Sequence, residues 1–334
     1  MIYAIKKFLL KYFLKMKKSL LALFFLVVTV AKMMAQDEAI FNHYMVNPVL
    51  VNPAFTGNSD KYYIYGHYRT QWTGFTNAPQ TYSLSVNGPL AEKVGIGAML
   101  LNERFGLTNR LRGQLSYAYH YKNEKKGFQA GFGFSTEFHR TRLDNSVSSN
   151  GFYEGPDRTV EANTKNVSIF DATVGGYLTI NNKFTVHVAA PNLIRARLGQ
   201  VDDTIKKEKT FLRQFILGAG YKMPINDKFT FEPSIQMRRV YQAPFEVEVN
   251  LMARFMQDRF AVGWYFRPSD SGATGVILGV KESFFQIYYT YNYSLAEFKN
   301  YSSQAHEITL GIALNKPVKE QTSPTTKKKK RYKN

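Results

Sequence analysis

The sequence predicts an all-β protein, a transmembrane antiparallel up-and-down β-barrel of about 14 strands, and three observations support this prediction. Fourteen strand-like segments follow one another from residue 61, and most have about ten to thirteen residues, the length a tilted strand needs to cross a bilayer. The connections between them alternate between short and long. Within each segment, apolar residues alternate with small or polar ones. The alternative is a soluble β-sandwich, which has shorter strands and no physical reason to alternate short and long connections.

The first 35 residues, 1–35, have the layout of a secretory signal peptide. Two lysines follow Met16, an apolar run of about a dozen residues comes next, and Ala35 precedes the expected cleavage point. The run is shorter than the roughly 20 residues that a membrane helix needs. We therefore expect an exported chain that starts at Gln36, with an N-terminal membrane anchor as the alternative.

The formal net charge of +19 is concentrated at the two ends of the chain. Residues 1–35 carry seven lysines and no acidic residue, and residues 315–334 carry eight basic residues and one glutamate. Residues 36–314 have 29 basic and 24 acidic residues, which leaves a net charge of only +5. No nucleic-acid partner is therefore expected. Residues 315–334 are predicted to be a disordered periplasmic tail, either solvated or in contact with a partner such as a peptidoglycan-associated protein.

Residues 36–60 precede the predicted barrel and have no clean periodicity. Asn-Pro occurs twice, as Asn47-Pro48 and as Asn52-Pro53. Proline disfavours helix at the preceding residue and supplies no N–H. We therefore interpret 36–60 as an extended, turned segment that enters or covers the periplasmic mouth of the barrel.

The fourteen predicted strands occupy residues 61–314 and alternate in connection length. Short turns follow the even-numbered strands, whereas the odd-numbered connections, among them GFTNA, RFGLTNR, 141–167 and 191–210, are interpreted as longer. Outer-membrane barrels have short periplasmic turns and longer external loops, so both termini are expected in the periplasm. The expected first residues of the strands are Lys61, Ala78, Glu92, Leu111, Gly127, Ser168, Lys183, Phe211, Asp227, Pro244, Asp258, Ala273, Phe284 and Ser302.

The stretch FEVEVNLMARF, residues 245–255, illustrates the two faces of the predicted wall. Its apolar residues alternate with Glu246, Glu248 and Arg254 among others. In an outer-membrane barrel the apolar face meets lipid and the charged face lines the lumen. Together with Arg267 these residues predict a polar lumen of mixed sign, suited either to selecting solutes in a porin or to holding a plug.

Several short motifs resemble those of the PorP/SprF family of type IX secretion system membrane proteins. They are His-Tyr-Met, Asn-Pro and Val-Asn-Pro-Ala-Phe-Thr-Gly within 43–57, Tyr-Arg-Thr-Gln-Trp at 68–72, Pro-Gln-Thr at 79–81 and Asn102-Glu103. The resemblance is strongest over 36–122 and continues to about residue 314 in the length and spacing of the strands. The basic tail departs from it. It implies an outer-membrane barrel that works with the type IX machinery, either in the core apparatus or in the export or surface attachment of a large adhesin.

Arg69 and Trp72 are the residues of interest near the first strand. By alternation Arg69 shares the inward face with His67, and a lumenal arginine needs a carboxylate or carbonyl partner. One hypothesis is that Arg69 helps to hold the 36–57 segment; the alternative is that it pairs with Glu246 or Glu248 across the lumen. Trp72 has the simpler interpretation of an aromatic residue at the membrane interface.

No catalytic, cofactor-binding or metal-binding constellation stands out in the sequence. The six histidines lack metal-ligand spacing, and cysteine is absent, which excludes a disulfide scaffold and Cys-ligated metals. We therefore expect a non-enzymatic barrel whose partners are outer-membrane lipid, type IX machinery and a large secreted surface protein. Partner or plug contacts are expected at Asn47, Pro48, Asn52, Pro53, Arg69, Trp72, Glu246 and Glu248. The alternative function is a diffusion porin or a hydrophobic-solute channel.

Overall fold

The structure is a computed structural model that describes residues 42–75, 77–144, 167–194, 196–198, 214–239, 245–268, 272–295 and 304–315. The predicted signal peptide and almost all of the predicted tail lie outside these ranges. Within the described ranges, no helix has the length and apolar character needed to cross a membrane.

The described chain is dominated by one antiparallel sheet whose strands alternate between two directions. Fourteen strands form the barrel wall. Two further short strands extend it: β8 follows β7 and pairs with β6, and β10 follows β9 and pairs with β11. The strands are β1 Lys61–Gln71, β2 Gln80–Pro89, β3 Val94–Phe105, β4 Thr108–Asn123, β5 Phe128–Leu143, β6 Val167–Ile180, β7 Phe184–Ala190, β8 Ala196–Leu198, β9 Phe215–Tyr221, β10 Met223–Asn226, β11 Phe229–Arg239, β12 Glu246–Phe255, β13 Phe260–Arg267, β14 Ala273–Lys281, β15 Phe285–Ser294 and β16 Gln304–Asn315.

The sheet closes because the first and last strands pair with each other. Arg69 of β1 lies opposite Thr81 of β2 on one side and opposite Glu307 of β16 on the other. Elsewhere β9 pairs with both β7 and β11. Closure gives each wall strand two hydrogen-bonded neighbours, which a membrane-spanning sheet requires because lipid offers no partner for backbone groups. The prediction of a closed barrel of about 14 strands is confirmed.

Side chains alternate between an apolar outer face and a polar inner face, as the sequence predicts. In β12, Glu246, Glu248, Asn250 and Met252 are buried inside, while the residues between them are on the outside. Exposed large side chains on the outer face include Leu84, Leu100, Leu115, Phe132, Phe134, Val262, Trp264, Leu278 and Leu310. Such a wall is stable only where the outer face meets acyl chains rather than water.

The two ends of the barrel differ in their connections, and we call them the turn end and the loop end. At the turn end no connection exceeds four residues, and the turns use positive φ at residues such as Asn181 (54°) and Asn182 (53°). The loop end carries the connections 72–79, 144–166, 191–214, 240–245, 268–272 and 295–303.

One connection at the loop end differs from the prediction. RFGLTNR, residues 104–110, was interpreted as a longer loop, and this interpretation is wrong. β3 and β4 remain paired up to Phe105 and Thr108, and Gly106, with φ +56°, makes the turn with Leu107. Glycine adopts this left-handed conformation without the steric cost that other residues have, so two residues suffice.

Candidate functional site: a chain segment inside the barrel

The lumen holds residues 42–57, which we call the lumen segment. Its first residue, Asn42, bonds to Asn292, two residues from the loop end of β15. Its last residue, Gly57, donates its N–H to Asn87 Oδ1 at 3.3 Å, close to the turn end of β2. The segment therefore descends through the lumen from the loop end to the turn end before the chain enters β1.

Three 3-10 turns, Asn42–Met45, Pro48–Leu50 and Pro53–Phe55, make up most of the lumen segment. The two Asn-Pro pairs explain the second and third turns. Proline at the first position of a turn has the required φ and no N–H to leave unpaired. Asn52 is extended, and its Oδ1 accepts the N–H of Ala54 at 2.9 Å. The predicted extended, turned segment thus contains three short 3-10 turns, with extended backbone at Asn52.

Glu307 of β16 is the main attachment point of the lumen segment. This carboxylate is fully buried. It accepts the backbone N–H groups of Asn42 (3.1 Å) and His43 (2.9 Å), and it contacts His67 Nε2 at 2.9 Å. Arg69 Nε lies 3.9 Å from its other oxygen. Charge-assisted hydrogen bonds such as these are each worth about 1.5–3 kcal/mol, so one side chain fixes the upstream part of the segment.

The His43 ring extends this attachment to two threonines of the wall. Its Nδ1 lies 2.7 Å from Thr309 Oγ1 and its Nε2 lies 2.6 Å from Thr290 Oγ1. In a neutral imidazole one ring nitrogen donates to a hydroxyl and the other accepts from one, and these two contacts fit that arrangement.

Further polar contacts connect the first turn to β12, β13 and β15. The Asn42 amide donates to Asn292 Oδ1 at 2.9 Å and accepts from Arg267 Nη2 at 3.0 Å. Arg267 in turn pairs with Glu248. Apolar contacts support the same region, where Met45 and Val46 pack against the buried cluster Met252, Ala261, Tyr265, Ile277 and Tyr288.

Glycines in the wall allow the part of the lumen segment around Asn52 and Thr56, which is nearer the turn end, to lie directly against the strands. A Cβ atom on Gly175 would stand 2.0 Å from Asn52 Oδ1, and one on Gly95 would stand 1.9 Å from Thr56 O. Both are distances that real Cβ atoms do not reach. The Asn52 amide also donates to Gly176 O (3.2 Å) and Val188 O (3.1 Å).

The sequence-predicted site residues fall into four groups in the structure. Asn47 and Asn52, with the prolines that follow them, lie in the lumen segment, and Asn47 Nδ2 donates to Ser85 Oγ at 3.2 Å. Arg69 faces the lumen and meets the segment through Glu307. Glu246 and Glu248 pair with Arg238 and Arg267 rather than with Arg69. Trp72 lies in the β1–β2 connection. It is 41% exposed, has φ +54° and is edge-on to Phe105 of β3.

Sequence reasoning missed Glu307 and His43, the two residues that do most to attach the segment to the wall. Glu307 is the one acidic residue of β16, where it alternates with Ile308, Leu310 and Ile312. An isolated carboxylate on the inward face of a strand needs a partner, and this signal could have drawn attention to it.

His43, His67 and Glu307 also form a cluster whose ligand atoms all lie within 4.8 Å of one another, a spacing that a metal ion could use. These residues come from three distant parts of the chain, so their proximity could not be read from histidine spacing. Both His43 nitrogens contact threonine hydroxyls, and the cationic Arg69 lies beside the same carboxylate. The arrangement therefore serves as a hydrogen-bonded attachment of the lumen segment.

A cavity of about 310 Å³ remains beside the lumen segment, against β7, β9, β11 and β12. Met45 and Phe55 of the segment line one side of it, and His187, Ser234 and Arg254 of the wall line the other. Its lining reaches the turn end at Lys183 and Lys222. The lumen is therefore divided between the protein's own segment and a pocket toward the turn end.

A closed β-barrel with an apolar outer face and a polar lumen occupied by its own N-terminal segment is a plugged transmembrane barrel of the outer-membrane type. The family described as type IX secretion system membrane protein PorP/SprF matches residues 33–312 of the chain. The chain therefore belongs to this family, an outer-membrane β-barrel family associated with the type IX secretion machinery.

Several solved structures are similar to this chain at low sequence identity. The TodX deltaS2S3 mutant monoaromatic hydrocarbon channel has a TM-score of 0.48 and 9% identity, covering 83% of this chain and 95% of that one. The Ralstonia pickettii toluene transporter TbuX has a TM-score of 0.45 and 11% identity, covering 84% and 95%. The KdgM porin has a TM-score of 0.39 and 10% identity, covering 75% and 98%. A search of the curated proteins found no match. At these TM-scores the structural likeness carries no functional argument.

Proposed function

We propose that this protein is a plugged, non-enzymatic scaffold of the type IX secretion system, which assists the export or the surface attachment of a large secreted, adhesin-like protein. The observation that carries the proposal is the occupation of the lumen by residues 42–57, fixed at Glu307 and Asn52. These bonds hold the segment inside the barrel, which supports a plugged scaffold over an open diffusion porin.

The orientation in this proposal has the short turns in the periplasm and the longer loops outside. The signal peptide 1–35 directs export, and the chain enters β1 and leaves β16 at the turn end. The secreted partner meets the loop end, especially the connections that include 141–167 and 191–210. The tail 315–334 extends into the periplasm toward the secretion machinery or a peptidoglycan-associated protein.

Site-specific photo-crosslinking in the native envelope tests the proposal. Phe75 at the loop end and Phe284 at the turn end are both exposed aromatic residues, so each can be replaced by a photo-reactive phenylalanine analogue as a matched pair. We expect a large secreted protein to be captured from position 75 and periplasmic machinery from position 284. Capture of lipid alone at both positions contradicts the proposal.

A truncation tests the role assigned to the tail. Removal of residues 317–334 leaves β16 intact and deletes seven of the eight basic residues found after Leu314. We expect weaker recovery of periplasmic partners in a pull-down, with the crosslink at position 75 retained. Unchanged recovery means that the tail has no such role.

The second candidate function, a channel for small or hydrophobic solutes, is favoured by one observation, the cavity beside the lumen segment. Planar-bilayer recordings separate the two candidates. The plugged scaffold is expected to be electrically silent, whereas a steady open current from the intact protein favours the channel.

A further inference from the structure

Three arginines at the loop end point outward rather than into the lumen. Gly95, Met99 and Leu101 face inward in β3, so Arg104 shares the outer face with Leu100. In β5, Glu137 faces inward, so Arg140 and Arg142 share the outer face with Phe138. All three arginines are exposed. We call Arg104, Arg140 and Arg142 the outer arginine patch.

The strand register brings these three side chains together. Arg104 lies opposite Asn109 of β4, and Asn109 lies opposite Arg142 of β5. Neighbouring strands are about 4.8 Å apart, so the backbones at Arg104 and Arg142 are separated by about 10 Å; Arg140 is about 7 Å from Arg142 along its strand. Three flexible side chains at such distances can meet one anionic group.

Among the residues that the structure describes, the carboxylates near this end do not neutralise the patch. Glu103 and Glu137 are on the lumenal side, where they pair with Arg110 (3.4 Å) and Arg112 (3.0 Å). Within the described residues, the side chains of the three outer arginines make no hydrogen bond or ion pair. Asp144 follows β5 at the loop end, and even when its charge is counted the patch keeps a net charge of +2.

The patch begins where the apolar outer face ends. On β4 the outward residues from Tyr121 to Leu111 are aromatic, aliphatic or small, and Asn109 is next. On β5 the outward residues up to Phe138 are mainly apolar, and Arg140 is next. A spanning strand needs about 9–11 residues within the hydrocarbon, which matches the length from Tyr121 to Leu111. The arginines therefore lie at the level of the lipid headgroups.

We propose that the outer arginine patch binds the phosphate groups of an anionic lipid, with the acyl chains against Leu100, Leu111, Leu115 and Phe138. Guanidinium groups bind phosphate oxygens through paired hydrogen bonds, which makes arginine well suited to this role. The assignment to the external leaflet, which consists of phosphorylated glycolipid, rests on the orientation given under the proposed function. The binding itself does not depend on that orientation.

The test uses the full mature chain refolded in a non-ionic detergent, so that it carries no lipid of the native membrane. Lipid A is added, and lipid bound per barrel is measured by native mass spectrometry. We expect the variant R104Q/R140Q/R142Q to bind at least fivefold less lipid A than the unmodified protein. The matched control K93Q/K125Q/K126Q removes three exposed positive charges at the turn end and should bind as the unmodified protein does.

Two further probes identify the chemistry. Dephosphorylated lipid A should bind no better to the unmodified protein than to the arginine variant. Phosphatidylglycerol that binds with the same arginine dependence supports recognition of phosphate in general, whereas binding of lipid A alone supports a glycolipid of the external leaflet.

Several results would overturn the inference. Equal binding of lipid A by the arginine variant and the unmodified protein, an equal loss in the lysine control, or equal binding of the dephosphorylated lipid each contradict it. Folding of every variant is checked by its heat-dependent gel mobility, and the single variants R140Q and R142Q, each expected to lower binding of lipid A, replace the triple variant if that fails to fold. Because binding is measured on the isolated barrel, its failure is distinct from failure of the crosslinking and conductance tests.

Discussion

Single side chains of the wall hold the lumen segment in place. The backbone N–H of Asn42 meets a carboxylate 265 positions further along the chain, at Glu307. Barrel closure pairs β16 with β1, so the same carboxylate also reaches His67 of β1. Glu307 is therefore the residue at which the attachment of the segment can be tested.

The substitution Glu307→Gln is expected to loosen the lumen segment without opening the barrel. The amide keeps the size of the side chain but removes the charge that strengthens the hydrogen bonds from Asn42 and His43, and it leaves Arg69 without its ion-pair partner. Breaking a buried pair costs about 3–5 kcal/mol. Hydrogen exchange of residues 42–57 should accelerate markedly.

The control for this experiment is Glu282→Gln at the turn end. Glu282 pairs with Arg259 at 2.5 Å on a partly exposed surface, so its loss should cost less than about 1 kcal/mol. Unchanged exchange of the lumen segment in Glu307→Gln would show that the attachment depends on other contacts.

Elements of the wall are far more predictable than the segment they enclose. Every predicted strand start lies within four residues of an observed one, since a strand in a closed wall has only two faces and its side chains must alternate between them. The error at 104–110 arose because a glycine at position 106 allows a turn shorter than its polar surroundings suggest. The sequence predicts an extended, turned segment around Pro48 and Pro53 but not the 3-10 geometry of its turns, because Asn-Pro indicates a break in helix and carries little information about the conformation of the residues after the proline.

Glycines of the wall provide a test of this element-level fit. Gly175→Val is expected to displace the part of the lumen segment around Asn52, because a Cβ atom on residue 175 would meet Asn52 Oδ1 at 2.0 Å. The matched control is Gly66→Val on the outer face of β1, where a Cβ atom would meet nothing within 4 Å. Limited proteolysis of residues 42–57 in folded barrels should distinguish the two, with increased cleavage only in Gly175→Val.

Equal protection of the segment in both glycine variants would mean that the wall can move to accommodate it. Barrel folding is monitored in parallel by heat-dependent gel mobility. Valine is well tolerated within strands, so both barrels are expected to form.

At the scale of the whole molecule, the path of the lumen segment joins the two ends of the barrel. The segment is bound near the loop end at Asn42 and reaches the turn end at Gly57, so it contacts the wall along most of its height. A ligand or partner that disturbs Glu307 from the loop end would release the upstream part first. The barrel can thus link events at its two mouths while its wall stays closed.

The orientation on which this linkage depends can be tested directly, because the chain contains no cysteine. Single variants Gly74→Cys in the β1–β2 connection and Lys125→Cys in the β4–β5 turn report the loop end and the turn end. With a membrane-impermeant maleimide applied to intact cells, we expect strong labelling at 74 and labelling at 125 only after the outer membrane is permeabilised. The reverse pattern would place the short turns outside, and with them the end at which secreted partners are expected.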